Sequence, residues 1–466
     1  MCLDIGKWQK RHQQFVQIFT LRADATSGAA WTLAHLSPRG HKSNPPSSVR
    51  PRLKALKSAS CCWVSTQAAI FSATSFSSSN PLLCSIKSLK LTDDLKKNRL
   101  KEKMSRKGNK QTEAVELRVG SELVGSKGVY IVKEFLGEGG FGKVAKCSKL
   151  WSLEYYAVKI MKISREGQKE FETMKLIQDL DPDENHLIKM YECFTYRKMT
   201  CIVYELLEVN FHDSLMNEQQ LVPLCYIRVI AQQLLKALKA LKSIGVAHCD
   251  IKLDNIMFKD LDDMNVKLID FGLAVETNEI LTGTKMQVTQ FRAPEVILGL
   301  PLDESVDMWA LGMVLACVYC GYYLFLSSTE YETIRAMVHI FGLPEADVLH
   351  RANYKDAFFT RDNGDWRLCT PEEYTEITGN RVRYMNPVID FDAMTDKHRN
   401  MYEMHDDDDH KAFIDLLKRM LEVNPQHRIT PSQALEHDFI TMKHLAGKSK
   451  ALGRKKKNLS SDKHGS

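Results

Sequence analysis

The sequence lacks a regular cysteine framework. Its 466 residues contain 12 cysteines at irregular spacings, which excludes a small disulfide-stapled fold and indicates free thiols in a reducing compartment. Cys317 and Cys320 form a single Cys-x-x-Cys pair. That pair lies inside an apolar run, which favours a core helix over zinc or redox chemistry.

The N-terminus lacks the charged and then apolar pattern of a secretory signal, and no internal repeat is apparent. Residues 1–92 are rich in Ser and Arg and poor in acidic side chains. This composition resembles a transit peptide, but plain disorder is the preferred interpretation. Met104 lies just before order is expected to begin and is a candidate alternative start.

Long uncharged runs are also scarce. Residues 309–326 form one run of 18 residues without a charge, long enough for a membrane span. It contains two glycines and three tyrosines, and no clear basic flank follows it. These features favour a buried helix, and no membrane partner is predicted.

Charge is unevenly distributed. Residues 1–110 hold 20 Lys and Arg against 5 acidic residues, and residues 447–466 hold 7 against 1. Because the whole chain carries +6, the remaining residues 111–446 carry −15. Basic ends on an acidic body predict tails that meet anionic partners, and no direct nucleic-acid binding by the core. The basic run at 454–457 is either a nuclear address or a solubilising tail, so both nucleus and cytoplasm stay open.

The hydrophobic pattern predicts an α+β architecture, because strands come first and helices dominate after residue 208. Residues 1–112 form a basic, Ser-rich segment that is predicted to be disordered, as is the basic tail at 447–466. The strands are predicted at 130–136, 144–149, 155–161, 186–191 and 200–205. The helices are predicted at 165–180, from 227 onward, over 309–326 and at 411–421.

The stretch 246–255 concentrates reactive side chains in the spacing His-x-Asp-x-Lys-x-x-Asn. It allows a metal site, an acid/base loop or a solvated turn. A metal site is disfavoured, because His248 and Cys249 are adjacent and point in different directions, and no second ligand pair lies nearby. The rest of the chain must decide between the other two.

Gly137, Gly139 and Gly142 form a Gly-x-Gly-x-x-Gly, which is a weak signal alone. A P-loop is excluded because Val144 stands where Ser or Thr must hold Mg²⁺. P-loop and Rossmann motifs also open a helix, whereas the residues after Gly142 are strand-like. The glycines therefore predict a hairpin, either an ordinary one or one whose bare N–H groups cover phosphates.

Further motifs follow in a fixed order. Lys159 ends an Ala-Val-Lys strand, an acidic helix follows, and then come the 246–255 stretch, Asp-Phe-Gly at 270–272 and Ala-Pro-Glu at 293–295. With the glycine loop, this set resembles the protein kinases. The resemblance implies a bilobal protein kinase fold with a small β-rich N-lobe at 130–207 and a larger helical C-lobe at 208–440.

The resemblance also implies roles for the conserved-motif positions. Asp250 would accept the substrate proton, Lys252 would touch the γ-phosphate, and Asn255 with Asp270 would hold Mg²⁺. The ATP-binding residues implied are Leu136, Gly137, Glu138, Gly139, Gly140, Phe141, Gly142, Val144, Ala157, Lys159, Glu170, Glu205, Leu207 and Met257. The Asp254 carboxylate is interpreted as a turn cap.

Within this set, Lys159 would grip the α- and β-phosphates and be held by Glu170. Glu170 is preferred to Glu172 because its neighbours at +1, +4 and +7 are apolar. The Glu205 carbonyl and the Leu207 N–H would meet adenine, with Tyr204 as a bulky neighbour. The apolar members of the set also suit simple core packing.

Two structural supports are implied as well. Glu295 and Arg428 would form an ion pair, and Asp307 would anchor the 246–255 stretch. The uncharged run at 309–326 then becomes a buried C-lobe helix.

More extended matches, from about residue 126 to 446, resemble the homeodomain-interacting protein kinases, a family of the CMGC group related to the dual-specificity tyrosine-regulated kinases. The matching stretches are 167–171, 189–194, 294–301, 307–309, 341–344, 366–372 and 439–445. The resemblance implies ATP and Mg²⁺ as cofactors and protein substrates, including transcription regulators. Residues 350–410 would be the group's insert, with the acidic run at 406–409 as a solvated loop.

Four positions depart from the family pattern. Cys249 replaces a loop arginine, Lys285 stands where relatives carry a self-phosphorylated tyrosine, Val288 replaces a hydroxyl residue, and Thr289 replaces an arginine that favours proline in substrates. No tyrosine self-activation is therefore predicted, proline-directed specificity is doubtful, and Lys285 is interpreted as simply exposed.

These departures leave two hypotheses. The first is an active Ser/Thr kinase, because every residue that the chemistry needs is present. The second is a nucleotide-binding scaffold with weak or no transfer, suggested by Lys285, Val288 and Thr289.

Overall fold

The computed structural model describes residues 117–445, except for 141, 162–163, 217–221, 261–263, 326–328, 383–389 and 402–406. The segments predicted to be disordered, 1–112 and 447–466, lie outside the described residues, as does Phe141. The described part has a β-rich first half and a helical second half, which confirms the predicted fold class.

The first half is an antiparallel sheet in the order β1-β2-β3-β4-β6-β5. Its strands are β1 (Glu122–Val124), β2 (Val129–Glu138), β3 (Gly142–Lys149), β4 (Tyr155–Met161), β5 (Met190–Tyr196) and β6 (Met199–Glu205). Along β2 and β3, alternate side chains such as Tyr130, Val132, Ala145 and Cys147 are buried, as the period of a half-buried strand requires. The sheet begins with β1, before residue 130.

Helix α1 (Ser164–Gln178) packs against β4, β5 and β6. Met174 and Ile177 are fully buried on its inner face, and Phe171 and Leu180 pack against the same core. This core continues into the second half of the molecule, whereas the outer face of the sheet has a separate small core around Tyr130 and Val158. Helix α1 therefore joins the sheet to the helical half.

The second half contains the remaining helices and three small sheets. The helices are α2 (Leu224–Ser243), α3 (Pro294–Leu298), α4 (Ser305–Cys320), α5 (Glu330–Phe341), α6 (Ala346–Arg351), α7 (Pro371–Thr378), α8 (Phe391–Met401), α9 (Asp407–Met420), α10 (Pro431–Leu435) and α11 (Asp438–Thr441). The strands are β7 (Val209–Asn210), β8 (Val246–Ala247), β9 (Ile256–Asp260), β10 (Asn265–Leu268), β11 (Val275–Glu276), β12 (Phe359–Asp362) and β13 (Asp365–Leu368).

Strand β5 begins later than the sequence predicts. Residues 186–191 alternate like a strand, but Leu187 forms a parallel bridge with Leu268 of β10. The Ile188 N–H donates to the Leu268 carbonyl at 3.0 Å, and the Leu268 N–H donates to the His186 carbonyl at 2.9 Å. The first part of the predicted strand thus pairs with the helical half, and only Met190 onward joins the main sheet.

The long uncharged run forms α4, which starts at Ser305 and ends at Cys320. Gly321 adopts a left-handed φ of +74° and donates its N–H to the Cys317 carbonyl at 2.8 Å, which terminates the helix. Every residue from Val306 to Cys320 is buried. The predicted buried helix is therefore confirmed with shifted ends, and within the described ranges no helix is long and apolar enough to span a membrane.

The acidic run near residue 406 is not a loop where the structure describes it. Asp407, Asp408 and Asp409 form the first turn of α9, where carboxylates are favoured by the helix dipole. Asp409 also contacts Arg228 and lies 2.8 Å from His444 Nε2. The prediction of a solvated loop is wrong for these three residues.

Candidate active site

The predicted site residues lie where the main sheet meets the helical half. Strand β2 ends with Leu136, Gly137 and Glu138, the turn contains Gly139 and Gly140, and β3 carries Gly142 and Val144. Strand β4 carries Ala157 and Lys159, and helix α1 carries Glu170. Strand β6 ends with Glu205, Leu207 follows it, and Met257 lies on β9. The loop between β8 and β9 carries Asp250, Lys252 and Asn255, and Asp270 follows β10.

The glycine stretch is a hairpin between β2 and β3, as predicted. The Gly139 N–H donates to the Gly142 carbonyl at 2.9 Å and closes the turn. Gly142 has φ +159°, and a Cβ atom there would lie 2.1 Å from the Ile160 carbonyl oxygen, so only glycine allows β3 this close to β4. Around Gly137, Gly139 and Gly140 a Cβ would meet nothing within 4 Å, so the tip has open space on it.

Lys159 joins two acidic side chains from distant parts of the sequence. Its Nζ lies 2.6 Å from Glu170 Oε2 and 2.7 Å from Asp270 Oδ1. Burial opposes the charged ammonium, but Asp270 and Glu170 outweigh burial and raise the pKa of Lys159. Glu172, the alternative partner, is about half exposed and pairs with Lys175 on the helix surface.

Glu170 is fixed by a second contact. The Tyr204 hydroxyl donates to Glu170 Oε1 at 2.8 Å, so each carboxylate oxygen has its own donor. Burial raises the pKa of Glu170 and raises that of the Tyr204 hydroxyl well above its ordinary value. The sequence analysis assigned Tyr204 only as a bulky neighbour of adenine, and the structure shows that it is also a hydrogen-bond donor to Glu170.

Asp270 has a left-handed φ of +62°. Its Oδ1 accepts from the Gly272 N–H at 3.3 Å as well as from Lys159. Burial opposes ionisation of Asp270, but Lys159 outweighs it and lowers the pKa. Its side chain is still 42% exposed, so the ionised carboxylate is accessible from solvent.

The catalytic loop (residues 246–255) is anchored by Asp307 at the start of α4. The Asp307 carboxylate accepts from the His248 N–H at 2.6 Å and from the Cys249 N–H at 2.9 Å. Burial raises the pKa of Asp307, while His248 and the two N–H groups act in the opposite direction. These bonds hold Cys249 at a left-handed φ of +65°, and burial raises the pKa of its thiol.

His248 links the catalytic loop to the Asp-Phe-Gly motif. Its Nδ1 accepts from the Asp250 N–H at 3.2 Å, which assigns the ring proton to Nε2, 3.0 Å from the Ile269 carbonyl. Its ring packs edge-on against Phe271, with centroids 4.8 Å apart. Both ring nitrogens are thus engaged, and among the described residues no group of three His, Cys, Asp or Glu side chains is arranged to hold a metal by itself.

One carboxylate oxygen of Asp250 accepts hydrogen bonds from two side chains. Lys252 Nζ lies 2.8 Å and Asn255 Nδ2 lies 2.9 Å from Asp250 Oδ2. Asn255 Nδ2 also donates to the Asp250 carbonyl at 2.8 Å, which leaves the amide oxygen of Asn255 for a cation. Amide and carboxylate oxygens are the ligands that Mg²⁺ prefers, so Asn255 and Asp270 fit a magnesium ion.

The residues next to Glu205 include a buried charge that the sequence argument missed. Lys267 is fully buried, and its Nζ lies 2.6 Å from Glu205 Oε1 and 2.8 Å from Asp183 Oδ1. Glu205 Oε1 also accepts from the Lys189 N–H at 2.8 Å. The signal was present in the sequence, because a lysine between two apolar residues of a short strand must find a carboxylate.

One further support, the ion pair of Glu295 and Arg428, matches a contact that the kinase resemblance implies. Arg428 Nη1 lies 2.5 Å from Glu295 Oε1, and Nη2 lies 2.9 Å from Oε2. Both side chains are fully buried. Lys285 is exposed, as interpreted, but it is also paired, because its Nζ lies 2.8 Å from Glu330 Oε1.

Comparison with known proteins agrees with this geometry. The model of the protein kinase domain matches residues 130–440. The chain is 40% identical to homeodomain-interacting protein kinase 1 of Mus musculus over 335 residues, which cover 68% of this chain and 28% of the relative. It is 37% identical to homeodomain-interacting protein kinase 1 of Caenorhabditis elegans over 344 residues, covering 68% of this chain and 41% of the relative.

A more distant relative is serine/threonine-protein kinase ppk15 of Schizosaccharomyces pombe, 32% identical over 332 residues that cover 67% of this chain and 62% of the relative. The chain thus spans well under two thirds of the length of the homeodomain-interacting relatives it matches. On the matched domain and the arrangement of its site, the chain belongs to the protein kinase family and is similar to the homeodomain-interacting protein kinases of the CMGC group.

Proposed function

We propose that this chain is an ATP-dependent protein serine/threonine kinase that transfers the γ-phosphate of ATP to protein hydroxyl groups. The observation that carries the proposal is the contact of Lys159 with both Glu170 and Asp270, at 2.6 and 2.7 Å. These three residues lie far apart in the sequence. Bringing them together buries charged side chains, and the ion pairs must offset the free energy of that burial.

The glycine hairpin would cover the phosphates with its backbone N–H groups, since its tip carries little bulk. Lys159, held by Glu170, would bind the α- and β-phosphates. The Glu205 carbonyl and the Leu207 N–H would orient adenine, and apolar side chains of Val144, Ala157 and Met257 would enclose it. The same ATP-binding set includes Leu136, Gly137, Glu138, Gly139, Gly140, Phe141 and Gly142.

Asn255 and Asp270 would hold Mg²⁺, which neutralises phosphate charge when bound. This assignment is supported by their chemistry, since an amide oxygen and a carboxylate are ligands that Mg²⁺ prefers. It is also supported by the lowered pKa of Asp270, which keeps that carboxylate ionised.

Asp250 would act on the protein substrate. Its carboxylate would accept the proton of the substrate hydroxyl, whose oxygen forms a bond to the γ-phosphorus while the bond to the β-phosphate oxygen breaks and ADP leaves. Lys252, 2.8 Å from Asp250, would offset the negative charge of the transferred group. Lys252 in this position is also the feature that favours Ser and Thr over Tyr as acceptors.

We further propose that substrates include transcription regulators and that the chain acts in the nucleus or the cytoplasm. The support is the name of the relatives, which are homeodomain-interacting. Thr289, which replaces the arginine that favours proline, supports a specificity without a proline requirement. Lys285 in place of the loop tyrosine supports activity without tyrosine self-activation.

The test is phosphate transfer from Mg-ATP to a degenerate Ser/Thr peptide library by the full chain. Asp270→Asn should lower transfer by about 10²- to 10³-fold, because it removes the metal-binding charge. Asp254→Asn is the matched control, since Asp254 is exposed on the same loop. It should leave transfer within about twofold, because asparagine can make the same turn hydrogen bonds as aspartate.

Transfer that disappears in Asp270→Asn but not in Asp254→Asn establishes the kinase. If wild type binds ATP but transfers no more phosphate than Asp270→Asn, the result would instead support the nucleotide-binding scaffold. Val288 and Thr289 would then be the residues to examine as the cause. The library also reports directly whether proline is preferred after the phosphorylated residue.

A further inference from the structure

The activation segment (residues 273–293) is fixed by one carboxylate. Glu330, the first residue of α5, places Oε1 2.8 Å from Lys285 Nζ and 2.8 Å from Arg292 Nη1. Lys285, Arg292 and Glu330 together are called the segment clamp. Two cations from the two ends of an eight-residue bend, residues 285–292, thus share one acceptor on a neighbouring helix.

Arg292 also closes the bend through backbone contacts. Its Nε donates to the Met286 carbonyl at 3.0 Å, and its Nη2 donates to the Gln287 carbonyl at 2.6 Å. The planar guanidinium therefore holds the backbone of the bend and Glu330 at the same time, which the point charge of a lysine cannot do. Two members of the clamp are shielded, since Arg292 is 17% and Glu330 is 25% exposed, whereas Lys285 is 45% exposed.

The bend is connected to the catalytic loop through α4. Gln287 is buried with a left-handed φ of +62°, and its side chain donates to the Val306 carbonyl at 2.8 Å and accepts from the Ala293 N–H at 2.9 Å. Val306 is the neighbour of Asp307, whose carboxylate holds the catalytic loop. A contiguous set of hydrogen bonds therefore runs from Glu330 to the residues beside Asp250.

Lys285 is confined from its other side as well. Its Nζ lies 5.6 Å from the centre of the Tyr354 ring. Gly283 approaches the same tyrosine so closely that a Cβ atom there would lie 2.7 Å from the hydroxyl oxygen. Tyr354 is itself tied to the end of α3, since its N–H donates to the Leu298 carbonyl at 2.9 Å.

We propose that Lys285 is a positioning residue that, with Arg292 and Glu330, orders the protein-substrate side of the active site through fixed side-chain charges, without phosphorylation of the activation segment. The inference rests on the proposed kinase function and concerns its regulation. A segment that needed an added phosphate for order would require unpaired cations waiting for it. Here Lys285 and Arg292 already share a carboxylate.

The experiment uses the full chain after phosphatase treatment, with intact mass and peptide mapping to verify that residues 273–293 carry no phosphate. Wild type is compared with Lys285→Gln, Lys285→Arg and Glu330→Gln. Lys411→Gln is the matched control, because Lys411 is a lysine of an exposed ion pair on α9. The readouts are the KM for peptide, the KM for ATP, kcat, and hydrogen exchange of amides 284–293.

Phosphatase-treated wild type should retain its transfer and its slow exchange at 284–293. Lys285→Gln should raise the peptide KM by about threefold to tenfold and speed exchange there, with the ATP KM unchanged, as expected for loss of one partly shielded ion pair. Glu330→Gln should have the larger effect because it weakens two contacts. Lys285→Arg should restore wild-type values within about twofold, and Lys411→Gln should change nothing.

Loss of transfer together with fast exchange on phosphatase treatment would overturn the inference, as would unchanged exchange and peptide KM in Lys285→Gln. Failure of the kinase function gives a different result. In that case no variant transfers phosphate, and the exchange at 284–293 alone still decides whether the clamp orders the segment.

Discussion

The catalytic loop and the activation segment are each held by a carboxylate in the first turn of a helix, Asp307 of α4 and Glu330 of α5, but by different chemistry. Each contains a non-glycine residue with left-handed φ, Cys249 at +65° and Gln287 at +62°. The catalytic loop is held by a buried carboxylate, Asp307, that accepts two backbone N–H groups. The activation segment is held by a partly exposed carboxylate, Glu330, that accepts two side-chain cations.

The difference teaches which positions tolerate substitution. Asp307 is satisfied by the backbone N–H groups of His248 and Cys249, so this contact does not depend on the side chain of Cys249. Burial raises the pKa of that thiol, which keeps it neutral. The activation segment depends on side-chain identity instead, because only a cation at 285 can reach Glu330. If Lys285 orders the segment as proposed, we expect that the segment does not need an arginine at position 249.

The largest expected effect comes from removing the support that the two regions share. Arg428 binds Glu295 of α3 and donates from Nη1 to the Ser305 carbonyl of α4 at 2.9 Å. Arg428→Met leaves the fully buried Glu295 without its partner, which should cost about 3–5 kcal/mol of unfolding free energy. Denaturant unfolding followed by fluorescence measures the loss.

The matched double variant Glu295→Leu/Arg428→Met removes both charges. It should recover most of that stability, because an apolar pair of similar volume avoids the cost of burying ions. If the double variant is as unstable as Arg428→Met, the lost contact with Ser305 and not the unpaired charge is the cause.

A smaller effect, confined to the catalytic loop, is expected from Asp307→Asn. An amide accepts at one atom only, so one of the two loop N–H groups loses its acceptor, at a cost of about 1–3 kcal/mol. Transfer should also fall by about 10²-fold, since misplacement of the loop moves Asp250 from the substrate hydroxyl. Thermal unfolding and kcat together measure both effects.

Asp303→Asn provides the control for Asp307→Asn. Asp303 is exposed just before the same helix and accepts from the Ser305 N–H at 2.9 Å, a bond that Asn also makes. Its kcat should stay at the wild-type level. Exchange at residues 284–293 should change little in Asp307→Asn because the segment clamp is intact, and a large change there would mean that the connection through Val306 matters more than the clamp.

Much of this arrangement was predictable from local patterns, and the exceptions have a common cause. The glycine hairpin, the buried uncharged helix and the preference for Glu170 over Glu172 follow from spacing, because each depends on residues within one or two turns or strands. The start of β5 was predicted too early, because Leu187 pairs with Leu268 of β10 and not with the main sheet. The hydrophobic pattern of residues 186–191 does not indicate which strand they pair with.

The carboxylates that pair with Lys267 and Lys285 were also not predicted from the sequence. Lys267 finds Glu205 and Asp183, and Lys285 finds Glu330, through contacts that join elements 45 to 84 residues apart. The sequence indicates that a buried lysine needs a carboxylate, but many carboxylates are available and only the fold selects one. The same holds for the hydrogen bond of Tyr204 to Glu170.

The smallest expected effect is a difference between the two regions in how salt changes their amide exchange. Raising NaCl from about 0.05 to 0.5 M shortens the screening length well below 10 Å, which weakens exposed ion pairs more than buried ones. Exchange of amides 284–293 should therefore become about two- to threefold faster, while amides 246–250, held by buried Asp307, should keep their rates. Lys285→Gln should already exchange quickly and show a weaker salt response. Equal acceleration of both regions would mean that the segment clamp is not what distinguishes them.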